Sequence, residues 1–262
     1  MKAGRPEDSL QSPCGALAAA KSMAGMLPDR EGAARQYAVC ERFDDLGKDD
    51  PDRTYRLGIM GGTFDPVHIG HLACAEQARD ELGMDAIIFI PAGVPVYKKD
   101  QKVTPAADRL EMCRLAVASN PAFDVSSIEV DREGDTYTVD TLRQLRAHYP
   151  DNVELFFITG ADAVMSIMKW RDSAQIAHLA KLVAVTRPGY APPEEMKRVL
   201  RERTGFQVSF LEMTGLDVSS SDLRRRVADG RSIRYLTKEV VFRYIEEHGL
   251  YRNDKEGERA WS

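Results

Sequence analysis

The chain has 262 residues, a formal net charge of −5 at pH 7, and no uncharged apolar run of about 18 residues. A membrane-spanning helix is therefore excluded, and the acidic balance disfavours nucleic acid as a partner, because general binding needs an extended basic surface. Four cysteines, at positions 14, 40, 74 and 113, show no paired spacing, so we expect reduced thiols and a cytoplasmic location.

The first 53 residues differ from the rest of the chain. Residues 15–27 are rich in alanine and glycine, and residues 44–53 carry five aspartates. Neither stretch shows a strand pattern, and residues 33–43 offer a candidate short helix. We therefore predict that residues 1–53 form a disordered N-terminal extension or a loosely tethered helix.

The two ends of the chain enclose one predicted domain, residues 54–252. Residues 253–262 are polar and are expected to form a frayed tail. A start of translation at Met23 or Met26 is an alternative account of the N-terminal extension. Deleting residues 1–52 is expected to leave activity and melting temperature almost unchanged.

The domain begins with a predicted strand, turn and helix. The apolar run 57–60 predicts a strand, the segment GGTFDPVHIGH at 61–71 a glycine turn, and the alanine-rich run 72–82 a helix. The turn brings His68 and His71 to the first turn of this helix, on one face. Amide groups there lack intrahelical partners and the helix dipole adds positive potential. We therefore predict a phosphate-binding turn that contains two imidazoles.

Other interpretations of this turn stay open. A single histidine near a helix start is usually a surface or capping residue, and Asp65 could cap the turn instead of taking part in chemistry. The His-x-x-His spacing with Asp65 also has enough ligand atoms for a metal. Structural zinc usually has four ligands, however, and no Cys-x-x-Cys or His-Glu-x-x-His accompanies the pair, so no metal ligands are predicted.

Strand and helix patterns alternate along the rest of the domain. Strands are predicted at 86–90, 153–158, 182–185 and 208–211, and helices at 105–118 and 138–148. This alternation predicts an α/β fold, a Rossmann-like doubly wound and mostly parallel sheet with helices on both faces. Ligands of such sheets bind outside the carboxyl ends of the strands, so the loops that follow the strands are expected to converge on one cleft.

A serine run near the C-terminus predicts a capped helix. The segment VSSSDLR at 218–224 has an N-cap pattern, which is common without any ligand. Arg224 follows one turn later, where a guanidinium could bind phosphate bidentately. The arginines that follow could steer an anionic substrate or simply solvate a helix; they are Arg225, Arg226, Arg231 and Arg234.

The turn at 62–71 resembles the Gly-x-Phe-Asp-Pro-x-His-x-Gly-His signature of nucleotidyltransferases that attack the α-phosphate of a nucleoside triphosphate and release pyrophosphate. From about residue 55 to 251 the chain is similar to the nicotinate-nucleotide adenylyltransferase family. The blocks that carry this resemblance, in the family's order, are PAGVPVYK at 91–98, the stretch 129–142, GAD at 160–162, KW at 169–170, RPG at 187–189 and 218–224.

The resemblance implies adenylyl transfer from ATP to nicotinate mononucleotide. The products are nicotinate adenine dinucleotide (deamido-NAD) and pyrophosphate, in NAD biosynthesis. Magnesium is expected to arrive with the phosphates of ATP and to use few protein ligands.

The resemblance also implies roles around ATP. His71 would contact the α-phosphate, His68 would help to bind the phosphates, and Arg224 would hold the departing pyrophosphate, so these three are the candidate catalytic residues. Asp162 would bind the ribose, with a helix N-cap as the alternative. The implied ATP-binding set is Gly61, Gly62, Thr63, Phe64, His68, His71, Gly160, Asp162, Ser219, Ser220 and Arg224.

A second implied group binds the mononucleotide. Lys98 would bind its phosphate, although neighbouring lysines usually mark a solvated turn. Trp170 would stack on the pyridine ring, with core packing as the alternative, and Thr136 and Tyr137 stand where the family recognises the ring carboxylate. Tyr97 replaces the family's histidine, which leaves the role of that position open.

Three alternative functions are carried forward. Phosphopantetheine adenylyltransferases share the two end motifs but lack the blocks at 137–142 and 169–170. Nicotinamide mononucleotide could be accepted equally well. A catalytically idle nucleotide sensor could use the N-terminal extension to recruit a partner. Separately, the sequence leaves open whether the protein forms an oligomer.

Overall fold

The computed structural model describes residues 39–95, 102–189, 198, 202 and 205–253. The chain divides into two compact units, Met1–Tyr37 and Ala38–Ser262, and the described residues belong to the second. Its strands are β1 (Tyr55–Gly62), β2 (Ala86–Pro91), β3 (Val94–Pro95), β4 (Phe123–Val125), β5 (Asp135–Thr136), β6 (Val153–Gly160), β7 (Lys181–Thr186) and β8 (Val208–Glu212). Its helices are α1 (Ile69–Leu82), α2 (Ala106–Val117), α3 (Thr138–His148), α4 (Ala161–Ser166), α5 (Ser173–Leu179), α6 (Ser220–Ala228) and α7 (Glu239–Glu247).

Six of the strands form one parallel sheet in the order β4-β2-β1-β6-β7-β8. The two short strands β3 and β5 pair with each other in a separate two-stranded sheet. Every predicted strand and helix between residues 57 and 211 is present, and the predicted doubly wound α/β class is confirmed. All six residues of β2 are buried, which explains its unbroken apolar sequence.

The direction of sheet growth reverses between β1 and β6. From β1 the chain adds β2 and β4 on one side, then returns to place β6 on the other side of β1. The carboxyl ends of β1 and β6 therefore border the crevice at which doubly wound sheets bind ligands. Gly61 and Gly62 end β1, and Gly160 ends β6, so the sequence motifs lie at this switch point.

Helices cover both faces of the sheet and bury a separate apolar core on each. One core packs Ile87, Phe89 and Ile158 against residues of α1, α2, α6 and α7. The other packs Leu57 and Ile88 against residues of α3, α4 and α5. No helix within the described residues is long and apolar enough to cross a membrane.

Residues 39–53 pack against the amino ends of the strands, contrary to the prediction of a disordered extension up to residue 53. Val39 and Cys40 are 7% and 4% exposed and belong to the sheet's core. Arg42 donates to three backbone carbonyls, those of Ala118, Asn120 and Phe123, at 2.8–3.1 Å. Residues 39–43 are not helical, so the predicted helix at 33–43 is wrong for its described part.

Asn152, just before β6, holds the other half of this segment. Its side-chain amide nitrogen donates to the carbonyls of Gly47, Asp50 and Arg53 at 3.0–3.1 Å. The aspartates that suggested disorder act as local acceptors; the Asp49 carboxylate, for example, accepts from the Tyr55 hydroxyl at 2.7 Å. The packed unit therefore extends at least to residue 39. Residues 1–38 and 254–262 lie outside the described residues.

Candidate active site

Two stacked imidazoles occupy the turn after β1. His68 is the N-cap residue of α1 and His71 is its third residue, as the sequence predicts. The two rings lie 3.7 Å apart between centroids, with 23° between their planes. The backbone N–H of His68 donates to Nδ1 of His71 at 3.2 Å. Because that nitrogen accepts, the neutral ring of His71 carries its proton on Nε2, where it can donate to an anion.

His68 is a neutral imidazole at physiological pH. The residue is 6% exposed, and this burial lowers the pKa of His68 to about 4. Its Nδ1 has no hydrogen-bond partner among the described residues.

Close packing around the turn explains two of its glycines. A Cβ on Gly70 would lie 3.1 Å from the imidazole of His68, and a Cβ on Gly62 would lie 3.0 Å from the ring of Phe64. Phe64 has a positive φ of 50° and packs edge-on against His71, 5.0 Å between centroids. Glycine at both positions therefore leaves room for the rings.

Asp65 holds the turn together. Its carboxylate is almost fully buried and accepts from the Tyr251 hydroxyl at 2.7 Å and from the backbone N–H of Thr104 at 3.3 Å. Its carbonyl accepts from Nη1 of Arg224 at 2.7 Å. Of the two interpretations of Asp65 that the sequence left open, these contacts favour the structural one.

Helix α6 contacts the same turn. Ser219 is its N-cap residue, and the side chain accepts from the Asp222 N–H at 3.2 Å, which confirms the predicted cap. The Ser220 hydroxyl donates to the Pro66 carbonyl at 2.9 Å. Arg224 is half-buried beside Asp65, so the serine run and the arginine are brought to the histidine turn over more than 150 residues of sequence.

One feature of the predicted anion site is wrong. The first amide of α1, that of Ile69, is already bound to the Leu236 carbonyl at 3.0 Å. The Thr237 hydroxyl adds a bond to the Val67 carbonyl at 2.8 Å. The loop between α6 and α7 thus occupies part of the helix N-terminus that sequence reasoning left open for a phosphate.

A second candidate site is a pocket open to solvent, which residues at the start of α3 and residues just before and within α5 line. Thr136, Tyr137 and Trp170, three of the four residues predicted to bind the mononucleotide, line it together with Arg171. The fourth, Lys98, lies outside the described residues, as does Tyr97.

Trp170 is half-buried and serves both packing and the pocket. Its indole nitrogen donates to the Ser166 hydroxyl at 3.2 Å, and its ring meets Phe157 edge-on at 6.2 Å between centroids. A Cβ on Gly61 would lie 3.4 Å from the same Phe157 ring. Phe157 therefore links the pocket to the strand end that carries the histidine turn.

Gly160 and Asp162 stand at the switch point with open space around them. Gly160 is the N-cap residue of α4 and is exposed, with no atom within 4 Å of the position of a Cβ. Asp162 is exposed in the first turn of the same helix. Because the cap is Gly160, the alternative interpretation of Asp162 as the N-cap residue is wrong.

Sequence reasoning missed two arginines. Arg171 places its guanidinium 4.6 Å from the centre of the Tyr137 ring at the pocket wall. Arg109 is 1% exposed and donates to the carbonyls of three loops. A signal for Arg109 was present: with Met112, Cys113 and Ala116 it follows the i, i+3, i+4, i+7 spacing of the buried helix face.

Within the described residues, no three His, Cys, Asp or Glu side chains converge on a point where a metal could bind. The rings of His68 and His71 stack on each other, and Asp65 is engaged by Tyr251 and Thr104.

A parallel sheet with paired histidines, an arginine and a capped helix at its switch point defines a nucleotide-binding enzyme of the nucleotidyltransferase class. A family model described as cytidylyltransferase-like matches residues 59–226. A probable nicotinate-nucleotide adenylyltransferase from Thermoanaerobacter sp. (strain X514) is 46% identical over 208 residues, which cover 78% of this chain and 98% of the relative. A protein with the same description from Moorella thermoacetica is 45% identical over 207 residues, 78% of this chain and 95% of the relative.

A solved structure shows the same fold at lower identity. Plasmodium falciparum nicotinic acid mononucleotide adenylyltransferase, complexed with APC, matches with a TM-score of 0.61 and 17% identity, over 75% of this chain and 97% of that chain. The chain belongs to the cytidylyltransferase-like family and, within it, to the nicotinate-nucleotide adenylyltransferases.

Proposed function

We propose that this enzyme transfers the adenylyl group of ATP to nicotinate mononucleotide, giving nicotinate adenine dinucleotide and pyrophosphate. The observation that carries the proposal is the connection, along one sheet edge, of a two-histidine turn to an aromatic pocket. Relatives of 45–46% identity are named probable nicotinate-nucleotide adenylyltransferases. A Plasmodium falciparum structure of the same fold is complexed with NaAD, the dinucleotide product.

The reaction needs charge neutralisation and alignment but no protein nucleophile. An oxygen of the acceptor's phosphate attacks the α-phosphorus of ATP. The bond from that phosphorus to the oxygen bridging to the β-phosphate breaks, and pyrophosphate leaves with the electron pair. Both reactants are anions, so groups that donate hydrogen bonds and hold the two phosphates in line supply most of the catalysis.

The histidine turn would supply those donors. Its neutral His71 carries its proton on Nε2, which suits donation to an α-phosphate oxygen as charge accumulates there. His68, neutral and stacked beneath it, would keep the ring oriented and contribute its own N–H. Arg224 lies beside the turn through its bond to Asp65, a position suited to the departing pyrophosphate.

The pocket would hold the pyridine ring of the acceptor. Trp170 and Tyr137 provide aromatic surface, and Arg171 is the charged residue of the lining. Arg171 lies 3.9 Å from Asp140, a long ion pair that leaves guanidinium donors for another anion. We propose that this cation favours the carboxylate of nicotinate over the uncharged amide of nicotinamide.

Magnesium belongs to this proposal as part of the substrate MgATP. In this proposal the phosphates of ATP supply most of the ligands of the ion. We also propose a cytoplasmic location, which suits the free thiols of Cys40, Cys74 and Cys113.

Pyrophosphate release measured in parallel with three acceptors tests the function. With MgATP present, we expect rapid release with nicotinate mononucleotide, slower release with nicotinamide mononucleotide, and none with phosphopantetheine. Preference for either other acceptor would correct the substrate. If ATP binds saturably but none of the three acceptors causes pyrophosphate release, the proposed enzymatic activity is overturned and the protein is a catalytically idle nucleotide sensor.

A further inference from the structure

A buried arginine joins the loops of the two proposed substrate sites. The guanidinium of Arg109 on α2 donates through Nη1 to the Thr63 carbonyl at 2.8 Å. Through Nη2 it donates to the Gly93 carbonyl at 2.9 Å, and through Nε to the Thr104 carbonyl at 2.9 Å. Three loops, separated by up to 41 positions (63 to 104), thus meet on one side chain.

Each of these carbonyls lies next to a part of the proposed active site. Thr63 lies between the paired glycines and the histidines of the phosphate-binding turn. Gly93 follows β2 in the loop that continues toward Lys98. Thr104 precedes α2, and its own N–H donates to the Asp65 carboxylate at 3.3 Å. We call residues 92–95, which follow β2, the acceptor loop. Arg109 therefore fixes the turn at two points, through Thr63 and Thr104, and the acceptor loop at one, through Gly93.

The loop at Gly93 passes the connection on to the acceptor pocket. A Cβ on Gly93 would lie 2.1 Å from the Glu129 carbonyl, so the two backbones touch there. One residue later, the Thr136 hydroxyl donates to the Val94 carbonyl at 3.2 Å, within the pairing of β3 and β5. Since Thr136 lines the pocket, an unbroken series of contacts runs from Thr63 through Arg109 to the pocket.

Stability alone does not account for an arginine at this position. The residue is 1% exposed, and the hydrogen bonds that it makes within the described residues go to neutral carbonyls. Burial lowers the pKa of Arg109, which reflects the cost of placing a cation there, and the negative charge of Asp65 offsets part of that cost. Buried charges are often no more stabilising than apolar residues of the same volume. What a guanidinium adds is a rigid planar fork that fixes several acceptors at once.

We propose that Arg109 is a positioning residue that sets the distance between the phosphate-binding turn and the acceptor loop. It acts through Thr63 and Gly93 and contacts neither substrate. The inference rests on the proposed adenylyl transfer, whose in-line geometry requires both loops in register. Loosening this connection leaves each substrate able to bind but misaligns the attacking oxygen and the α-phosphorus.

The test compares Arg109→Lys with Arg146→Lys. Arg146 is a matched control because its guanidinium also donates to three backbone carbonyls, those of Val153, Tyr149 and Pro150, at the amino end of β6. Both variants keep the charge and lose the planar fork. Melting temperature, kcat, and the separate Kd values of ATP and nicotinate mononucleotide are measured for each.

We expect Arg109→Lys to lower kcat by about tenfold or more, because sub-ångström misplacement is felt mainly in the chemical step. The two Kd values should change by less than about threefold, since the contacts that bind each substrate before the reaction are kept. Arg146→Lys should lower the melting temperature and leave kcat at the wild-type value. Equal kcat in the two variants would overturn the proposal.

Hydrogen exchange separates this inference from the proposed function. Amides of residues 62–64 and 92–94 should exchange faster in Arg109→Lys than in wild type, and Arg146→Lys should leave them unchanged. This holds whether or not the wild-type enzyme releases pyrophosphate with nicotinate mononucleotide. Unchanged exchange would refute the positioning role.

If Arg109→Lys does not fold, Gly93→Ala decides. Its added Cβ displaces the same loop against Glu129 while the arginine is kept. Loss of kcat with little change in the two Kd values supports the proposal. Normal turnover with Gly93→Ala would overturn it.

Discussion

The two edges of the central sheet are built for different tasks. At the amino edge, Asn152, Arg42 and Arg146 each donate to three backbone carbonyls, and residues 39–53 lie across the strand ends. At the carboxyl edge, His68 keeps an unbonded Nδ1 within the described residues, and a pocket opens beside β6. The amino edge binds its loops to the strand ends, although Nε of Arg146 also lacks a partner within the described residues, and the carboxyl edge opens a pocket.

The same kind of contact appears at both edges with different consequences. Arg146 binds carbonyls within one connection, from α3 to β6, and so stabilises a single loop. Arg109 binds carbonyls of three separate loops and so relates them to one another. Arg146 and Arg109 each bind three carbonyls, so the difference between their roles comes from which segments they join.

The largest expected effect is at the carboxyl edge. His71→Ala should lower kcat by a factor on the order of 100 or more, because it removes a donor positioned on the reacting phosphate. The melting temperature should stay close to that of wild type. His248→Ala, which removes an exposed histidine on the far end of α7, is the matched control and should be fully active. Turnover of His71→Ala near the wild-type value would remove its catalytic role.

At the amino edge we expect the reverse pattern. Removing residues 1–53 should lower stability by on the order of 3 kcal/mol, since it exposes the core beneath Val39 and Cys40 and unpairs the Asn152 amide. That corresponds to a fall in melting temperature of about 5–10 °C. The sequence alone predicted no effect for such a deletion.

A shorter deletion provides the control. Removing residues 1–37 keeps every described contact of residues 39–53, so any difference between the two truncations belongs to that segment. Values of kcat for both should match wild type. Equal melting temperatures in the two truncations would contradict the packing role, and a fall in kcat without unfolding would break the separation between the edges.

Stability should also depend on pH through His68. Its folded pKa is about 4, below the ordinary value of 6.5, so between these values the unfolded chain binds a proton that the folded chain excludes. The free energy of unfolding should therefore fall as pH drops from 6.5 to 4, by about 2–3 kcal/mol for this group, and be fully present above 6.5.

Denaturant titrations of wild type and His68→Gln over this pH range measure that contribution. The variant should lose less stability on acidification, since glutamine does not titrate. Parallel curves for the two proteins would show that His68 is not the group responsible.

A smaller effect is expected for substrate preference. Arg171→Gln should lower the preference for nicotinate over nicotinamide mononucleotide, measured as a ratio of kcat/KM values, by about tenfold, as fits the loss of one partly exposed ion pair. The nearby Arg143→Gln removes an arginine that binds Asp140 and Asp172 outside the pocket lining, and should leave the ratio unchanged. Equal kcat/KM ratios in both variants would show that Arg171 does not recognise the carboxylate of nicotinate.

Much of the carboxyl edge could be predicted because its signals are local. Spacing put His68 and His71 on one helix face, the serine pattern marked Ser219 as a cap, and the apolar run of β2 marked a buried strand. These features depend on neighbours within a few residues. The roles assigned to site residues by resemblance, including Lys98 outside the described residues, stay predictions.

The amino edge and the loop connections could not be predicted because their partners are distant. Arg42 binds carbonyls 76–81 positions away in the sequence. An aspartate-rich stretch has the same composition whether its turns pack against the sheet or stay disordered. Likewise, the Leu236 carbonyl that occupies the first amide of α1 lies far along the chain from Ile69. Such contacts are set by the fold as a whole.

Positional labelling of ATP tests the central claim most directly. ATP labelled at the α-phosphorus, or separately at the γ-phosphorus, is incubated with magnesium and nicotinate mononucleotide, and the products are separated. We predict that the α label appears in the dinucleotide and the γ label in pyrophosphate, in equal amounts. A γ label on the mononucleotide, or both labels retained in ATP, would contradict adenylyl transfer.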